Sequence, residues 1–554
     1  MKMNLSLAVI LCALFFLAMP LATPLVAHEG EDHEEPESGP PLILGVLDFP
    51  NSGTEAAQDA FTRGVLLLHS FEFSDARAAF LEAQAIDPGF VMAIWGEAMT
   101  LNHPLWAQQD REKALKVLAK LPPKAERKVS PHEQVFLDAV EILYGYGEEN
   151  PGVKTARDVA YMQAMQRAHE AYPDDLEAAS FYGLSILGSV YERDFRTYMR
   201  AAAVLEEVFA KQPRHPGAAH YLIHSYDDQV HAPLGLRAAR VYATIAPAAS
   251  HAQHMISHIY TSLGMWEEVV AANITAVRVS EEAMQRAGKP IANRSKHAMH
   301  WLQYAYLQQG LYGEARKTME VMKKDRAELN NLNQNLHYVL FRGSYVADDP
   351  TGEQPLDHIE LPQMPLDLEL TDDFASGFNL IASGNLTEAT ALLAEMQNRI
   401  ASSTVKTVEE GLHEDDLATS EDGYLVATIM ARELEALLLY RSGKTNAAIE
   451  LMRTAAADEN SRPLVYGPPH IPKPSNELLG EMLLAQGRPE EAVAEFEMSL
   501  SRNTGRSLSL LGLARAQEAA GNLTEASESQ ALLATHWKGD LQALNQSDYP
   551  WLGD

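Results

Sequence analysis

Apolar and small residues recur at helical spacing along this chain, from about residue 55 to the C-terminus. The first unit combines the small residues Gly64, Ala76 and Ala83 with the aromatic Phe80 and with Pro88. Small residues allow two antiparallel helices to approach closely, an aromatic fills the space between units, and a proline stops the second helix. Alternation of the kind that predicts strands is nearly absent. The pattern therefore predicts a helix-turn-helix unit of about 34 residues.

The same frame returns along the rest of the chain. Gly183 lies on a first helix of this kind, and the segment from Ala201 to Pro213 has the pattern of a second helix. Six further glycines stand where turns are expected, and each is followed five residues later by a small or branched residue. These pairs are Gly264 and Val269, Gly310 and Ala315, Gly384 and Ala389, Gly443 and Ala448, Gly487 and Ala492, and Gly521 and Ala526. So regular a spacing predicts an all-α solenoid of roughly nine to twelve repeats.

This spacing resembles that of the tetratricopeptide repeat, and the resemblance covers about four fifths of the chain. More narrowly, three segments are similar to segments of secreted bacterial tetratricopeptide proteins: IWGEAMTLNHPLW at 94–106, HYLIHSYDD, and HAQHMISHIYTSLGMWEEVV. The resemblance implies a right-handed α-solenoid whose concave groove captures a peptide, a protein or a small molecule. It implies no particular ligand or activity.

Two proline-rich interruptions divide the helical pattern. Residues 345–373 are rich in proline and acidic residues, which predicts a linker between an N-terminal array at 56–344 and a C-terminal array at 374–554. The second interruption, SRPLVYGPPHIPKPS at 461–475, contains five prolines and one glycine. Its apolar side chains need cover, so we expect an ordered loop. Loops of this length inside a solenoid are often functional.

The first 55 residues differ from the rest of the chain. Residues 1–27 contain Lys2, an apolar run and a small residue before a plausible cleavage site, which predicts a secretory signal peptide. Residues 28–55 begin with HEGEDHEEPESGP, and this acidic composition predicts a disordered linker. We therefore expect a periplasmic or secreted protein. After the signal peptide, no stretch is apolar enough to predict a membrane span in the mature chain.

The composition indicates how the mature chain is stabilised and which classes of partner it does not bind. The only cysteine, Cys12, lies in the signal run, so the mature chain has no disulfide and depends on apolar burial. The formal net charge is −32, which argues against nucleic acid as a partner because phosphate binding needs a clustered basic surface. GxSxG, HExxH and phosphate-binding glycine motifs are also missing, so an enzymatic role would depend on a bound metal.

Seven histidines between His220 and His300 recur at matching positions of successive repeats. Counting from the residues that end helices places the repeat starts at Pro216, Ser250 and Lys296. In this frame His220, His254 and His300 are fifth, His224 and His258 are ninth, and His251 and His297 are second. Positions two, five and nine are three and four apart, so they share one face of a helix. The tetratricopeptide resemblance implies that this face lines the concave groove.

This register predicts a transition-metal site. Neighbouring first helices lie about 10 Å apart, so imidazoles from two helices can converge on one ion. The four expected ligands are His220, His224, His254 and His258. Additional or alternative ligands are His251, His297 and His300, and candidates for contacts behind the ligands are Asp227, Asp228 and Tyr304. Nitrogen ligands without thiolate favour copper, zinc or iron over calcium or magnesium.

Other interpretations of the histidines stay open. An i,i+4 histidine pair on a helix is often packing with a hydrogen bond. Repeat duplication can copy a tolerated residue, although earlier repeats have other residues at these positions, such as Trp95 and Met99. Histidines can also bind an anionic peptide, ligand or headgroup. The alternative function is a non-catalytic scaffold that captures a peptide or protein partner in the groove.

Overall fold

The computed structural model describes residues 42–190, 193–349, 364–405, 419–464, 466–545 and 549–553. The signal peptide predicted at 1–27 and the acidic run that follows it lie outside these residues. Of the linker predicted at 345–373, the middle part, 350–363, also lies outside them. The described residues from 43 onward form one compact unit.

The described residues form 24 α-helices and one short antiparallel β-ribbon. The first helices are α1 (Gln58–His69), α2 (Phe73–Ile86), α3 (Val91–Met99), α4 (Arg111–Leu118), α5 (Pro131–Tyr144), α6 (Lys154–Ala171), α7 (Leu176–Leu187) and α8 (Phe195–Lys211). The next are α9 (Pro216–Tyr226), α10 (Ala232–Ile245), α11 (Ser250–Ser262), α12 (Trp266–Arg286), α13 (Lys296–Gln308), α14 (Tyr312–Leu329) and α15 (Leu332–Asp348). The last are α16 (Leu366–Ala382), α17 (Leu386–Ser402), α18 (Glu421–Arg441), α19 (Thr445–Ser461), α20 (Ser475–Ala485), α21 (Pro489–Arg502), α22 (Ser507–Ala519), α23 (Leu523–His536) and α24 (Leu541–Asn545). The ribbon pairs β1 (Asn102–His103) with β2 (Gln108–Gln109). None of these described helices is both long and apolar enough to cross a bilayer.

Consecutive helices pack as antiparallel pairs joined by tight turns, which confirms the predicted all-α solenoid. The six glycines predicted at turns all have a positive φ, between 65 and 85°, and glycine adopts this conformation without strain. The buried ring of Phe80 lies against Gly64 and Gly96, where an added Cβ would fall 2.7 and 2.3 Å from it. The aromatic therefore fills the space that small residues leave on two neighbouring helices, as the spacing predicts.

The three helices that carry the histidines begin at the predicted residues. α9 begins at Pro216, whose ring fixes a helical φ where no backbone donor is needed. His215 caps this helix by accepting a backbone hydrogen bond at 3.1 Å. α11 begins at Ser250, and α13 begins at Lys296 after the capping residue Ser295. The positions two, five and nine used in the sequence frame are thus the same positions in the folded helices.

Later repeats pack against earlier ones. His69, the last residue of α1, contacts the hydroxyl of Tyr221 in α9 through Nδ1 at 2.9 Å. Farther along, the indole of Trp266 donates to the carbonyl of Gly505 at 2.9 Å. A Cβ added at Gly264 would lie 3.2 Å from the Cα of Gly505, so two backbones meet there. These contacts join segments that are far apart in the chain.

The two largest apolar cores lie on either side of residue 345. The larger core runs from Leu44 to Ala305, and the second runs from Val346 to Leu552. Within the segment 28–55, Leu44 and Phe49 belong to the larger core and are 2% and 6% exposed. Both residues follow the acidic run, so apolar burial fixes this last part of the segment against the first helices.

Candidate metal centre

Six of the seven singled-out histidines form two neighbouring groups of three. Group one consists of His220 and His224 of α9 and His251 of α11, and group two consists of His254 and His258 of α11 and His297 of α13. Within each group, one ring nitrogen of every histidine lies within 4.8 Å of the others. This grouping differs from the four-imidazole cluster expected from the register, because the second position of the next helix completes each pair.

Each group has the same construction. Positions five and nine of one first helix are one turn apart and supply a buried pair of rings. The second position of the next first helix supplies the third ring, which lies nearer to solvent. His297 is exposed and His251 is partly exposed, whereas the paired histidines are at most 6% exposed. Both groups are therefore closed on the side of the pair and open on the side of the third ring.

Both rings of the pair in group two have an acceptor at Nδ1. The Nδ1 of His258 lies 2.6 Å from a carboxylate oxygen of Asp227, and the Nδ1 of His254 lies 2.7 Å from the side-chain oxygen of Asn273. The amide of Asn273 is oriented by its nitrogen, which donates to the carbonyl of Val269 at 2.9 Å. Since both partners accept, each Nδ1 carries a proton. In the neutral rings, both Nε2 atoms then present a lone pair.

These two lone pairs face each other, since the Nε2 atoms of His254 and His258 are 3.0 Å apart. A hydrogen bond between them needs a proton that neutral rings in these tautomers do not have. A proton added to His254 would charge a buried ring, and burial, with the neighbouring His258, lowers the pKa of His254 to about 3. A proton added to His258 would form an ion pair with Asp227, whereas a metal ion bound by both nitrogens satisfies them without an added proton. In a tetrahedral site with bonds of about 2.0–2.1 Å, two nitrogens lie about 3.3 Å apart.

Group one is oriented by a backbone carbonyl. The Nδ1 of His220 donates at 2.6 Å to the carbonyl of His69, at the end of α1 where carbonyls lack helical partners. The Nε2 of His220 lies 3.1 Å from the Nε2 of His224. The buried Nε2 of His251 has no hydrogen-bond partner among the described residues. An unpaired buried polar atom costs about 1–3 kcal/mol, which a bound ion would offset.

The three imidazoles of group one are neutral at physiological pH. Burial is the largest cause, and repulsion from neighbouring histidines adds to it. Together they lower the pKa of His220, His224 and His251 well below the usual value of about 6.5. Neutral imidazole is the form that ligates a metal, because its lone pair is free. These nitrogens therefore need not lose a proton before an ion binds.

Aromatic side chains enclose both groups. Trp301 stacks on His258 with ring centres 4.2 Å apart, and Tyr466 lies 5.2 Å from the same ring. Phe71 packs on His220 at 4.3 Å. Tyr466 belongs to the proline-rich segment 461–475, which thus reaches from the C-terminal half of the chain to group two. Such walls exclude water and strengthen electrostatic interactions at the nitrogens.

The adjacent acids Asp227 and Asp228 have different surroundings. Asp227 is 1% exposed and accepts from His258, so it lies behind a candidate ligand, as the sequence frame predicts. The carboxylate of Asp228 instead accepts from Arg193 at 3.1 Å and from the backbone nitrogen of His231 at 2.9 Å. Asp228 therefore closes the turn after α9, and among the described residues its carboxylate pairs with Arg193 and His231, which belong to neither group.

His300 and Tyr304 lie outside both groups. The Nε2 of His300 is 3.0 Å from the hydroxyl of Ser344. The hydroxyl of Tyr304 accepts from Arg506 at 3.3 Å, within a buried ionic network. Because α13 has a tyrosine at its ninth position, it lacks the histidine pair that α9 and α11 present.

The protein is expected to lose stability as the pH falls from about 6.5 to about 4. Burial lowers the pKa of His300 to about 3 and that of His536 to about 4, whereas histidines of the unfolded chain titrate near 6.5. Below pH 6.5 the unfolded state therefore binds more protons than the folded state, and acid favours unfolding by about 2 kcal/mol per histidine at pH 4.5. Urea unfolding at pH 7 and pH 4.5 measures the loss. A double variant, His300→Gln with His536→Gln, should lose correspondingly less, and an equal loss would contradict the explanation.

A third buried cluster is not predicted by the sequence frame. His69 and His215 place their Nε2 atoms 2.7 and 2.9 Å from the two carboxylate oxygens of Glu177, and all three side chains are fully buried. Burial opposes ionisation of Glu177, but the two histidines lower its pKa to about 2. Both remaining Nδ1 atoms have partners, Tyr221 for His69 and a backbone nitrogen for His215. The cluster is therefore a satisfied network that fixes His69, whose carbonyl orients group one.

One signal for this third cluster was available in the sequence. His215 directly precedes Pro216, and a polar residue before a proline is typical of a helix cap. Nothing in the sequence connects it to His69 or Glu177, which lie 146 and 38 residues before it. Their contact depends on how α1, α7 and α9 pack.

Comparisons with known proteins name no family for this chain. No protein family model matches the chain, and no curated protein matches it. The crystal structure of the TPR domain of P58(IPK) is 12% identical and covers 84% of this chain and 99% of its own, with a TM-score of 0.23. The crystal structure of yeast Tom70 is 10% identical and covers 89% of this chain and 88% of its own, with a TM-score of 0.27. At these low scores, the tetratricopeptide-like fold is assigned from the helix pairs and turn glycines of the chain itself.

Proposed function

We propose that this protein binds transition-metal ions, namely copper, zinc or iron, through the imidazoles of groups one and two. The proposal rests on one observation in group two. The Nε2 atoms of His254 and His258 are 3.0 Å apart, and both Nδ1 atoms are hydrogen-bonded to acceptors, so neither Nε2 carries a proton in the neutral rings. Nitrogen ligands without sulfur suit these metals. The fold alone supports a broader expectation, because helical solenoids bind proteins and peptides on concave surfaces.

The same observation favours metal binding over simple packing. In a purely structural pair of neutral histidines, one ring would donate an N–H to the other. The pair His220 and His224 of group one can form such a hydrogen bond. In group two that arrangement would require Asp227 or Asn273 to lose its hydrogen bond from Nδ1. Repeat duplication explains why the histidines recur, but it does not explain why acceptors on two different elements direct both lone pairs to one point.

The number of ligands in each group would leave a bound metal ion able to bind a further small molecule. Three imidazoles leave an open position on a four-coordinate ion, as in zinc sites that bind water or substrate. The exposed ring of His297 places the open side of group two near solvent. We propose metal binding as the primary function and metal-dependent chemistry on a small molecule as its extension. Export to the periplasm or the outside of the cell is proposed from the signal-like sequence at 1–27.

A titration of the metal-free mature chain, purified without a histidine tag, tests this function. Zn²⁺, Cu²⁺ and Co²⁺ are added separately, and binding is followed by calorimetry and by the melting temperature. We expect saturable uptake and a stabilisation of about 2.7 kcal/mol when the free ion reaches a hundred times its dissociation constant. The control is His300→Gln, which changes a fifth-position histidine outside both groups and should bind as the unmodified chain does. A folded protein that takes up none of the three ions would favour the peptide-binding scaffold.

Replacing Asp227 by asparagine should weaken metal binding at group two by at least about tenfold. An amide can donate to the Nδ1 of His258, which moves the ring proton to Nε2. That proton then donates to His254 and blocks the ion. Asp228→Asn is the matched control, because the neighbouring acid pairs with Arg193 and His231, which belong to neither group. Calorimetric titration measures both variants, and equal affinities would show that Asp227 does not set the tautomer.

A further inference from the structure

We propose that groups one and two form one dinuclear centre that binds a small anion between its two ions. This inference rests on the proposed metal binding and specifies its stoichiometry and its ligand. The geometry that points to it is the placement of one member of each group on the same turn of α11. The anion is of the class of hydroxide or azide, small enough to donate to both ions at once.

Helix α11 brings the two groups together. His251 of group one and His254 of group two are three residues apart on this helix, which corresponds to a rise of about 4.5 Å. Their ring centres are 6.2 Å apart. Across the two helices, the rings of His224 and His258 are 6.0 Å apart. Ions about 2 Å from their nitrogens can therefore lie within the range of about 3.5–4 Å that two-metal sites use.

The third nitrogen of group one supports a second ion. The Nε2 of His251 is buried and has no hydrogen-bond partner among the described residues. Its ring lies 5.0 Å from that of His220, whose Nδ1 proton is held by a carbonyl. An ion in group two alone would leave the Nε2 of His251 unsatisfied. An ion in group one gives this nitrogen a partner and also binds the two rings of α9.

Charge balance identifies the class of the bridging ligand. All six ligands are imidazoles, so two divalent ions would bring four positive charges to a largely buried place with no anionic ligand. The carboxylates next to the groups are hydrogen-bonded to the histidines and are not among the six ligands. Asp227 accepts from His258, and Glu72 accepts from the backbone nitrogen of His251 at 2.9 Å. Uncompensated buried charge is strongly unfavourable. An anion at the open positions of both ions lowers that charge and completes both coordination shells.

Copper loading of the metal-free mature chain tests the dinuclear centre. Cu²⁺ is added to saturation, unbound copper is removed, and the bound copper and the unpaired spins are both counted. We expect two ions per chain with far fewer than two spins, because bridged neighbouring Cu²⁺ ions couple magnetically. His224→Ala and His258→Ala should each bind one ion and show one full spin. Azide should change the absorption of the two-copper protein at a concentration at least about tenfold lower than for either variant, since it binds two ions at once.

The outcomes separate this inference from the proposed function. One ion in the unmodified chain, or two ions that give two full spins and the azide response of the single-group variants, would overturn the dinuclear centre and leave metal binding intact. No bound copper in a folded chain would overturn both. The ion and spin counts of the unmodified chain decide the question even if a variant fails to fold.

Discussion

Replacing His258 by alanine is expected to weaken metal binding at group two by at least about a hundredfold. Structural zinc sites bind with about 10–16 kcal/mol shared among four ligands, so one ligand contributes about 3 kcal/mol. His258 is also the ring whose Nε2 faces that of His254 at 3.0 Å. The variant thus removes both a ligand and the opposed lone pair on which the site is inferred.

The measurement is a competition titration of each protein with a chelator of known zinc affinity. His300→Gln serves as the control, because His300 occupies the fifth position of its helix but contacts Ser344. A purely structural role for His258 predicts a different pattern. The variant would then lose stability, since the ring stacks on Trp301 at 4.2 Å, while zinc affinity at group two would not change.

Replacing Arg506 by methionine is expected to lower the free energy of unfolding by about 3–5 kcal/mol. The guanidinium is fully buried and donates to Glu477 at 2.8 and 3.0 Å and to Asp348 at 3.1 Å. Its loss would remove one ion-pair partner from each of the two buried carboxylates, and burial already raises the pKa of Asp348. These partners lie on α15 and α20, so Arg506 connects helices on both sides of the predicted linker.

Urea unfolding measures this loss, and Arg488→Met is the matched control. Arg488 pairs with Glu491 at 2.7 Å, but the two side chains are 38% and 46% exposed, so we expect a much smaller loss than for Arg506→Met. The difference in unfolding free energy between the two variants measures the effect of burying the ion pair, because both variants remove one positive charge. Similar losses in both variants would contradict the role assigned to the buried network.

Local sequence signals predict the helices of this protein well. Pro216, the residue before it and the turn glycines act within one or two residues of the boundary they set, so counting along the chain is enough to locate α9, α11 and α13. The same count gives the face that carries the histidines, because positions two, five and nine follow from the helical period alone.

The division of the histidines into two groups depends on packing between helices, which the sequence pattern does not specify. A count along one helix pairs His220 with His224, but it does not show that His251 on the next helix completes the group. The sequence also treats Asp227 and Asp228 alike. Only the folded turn directs one to His258 and the other to Arg193.

Contacts between segments that are far apart in the chain are the hardest features to predict from the sequence. Tyr466 approaches His258 from more than 200 residues away in the chain. The loop that contains Tyr466 is expected to be ordered because of its apolar residues. The site against which this loop packs depends on how the C-terminal helices pack against α11 and α13. The carbonyl of His69, which orients His220, is likewise a backbone group that no side-chain motif reveals.

Anomalous X-ray diffraction from crystals of the zinc- or copper-loaded protein tests the central claim most directly. We predict a metal peak within about 2.0–2.1 Å of the Nε2 atoms of both His254 and His258. A folded, metal-exposed protein with no peak between these two nitrogens, or with metal only at other positions, would contradict the account.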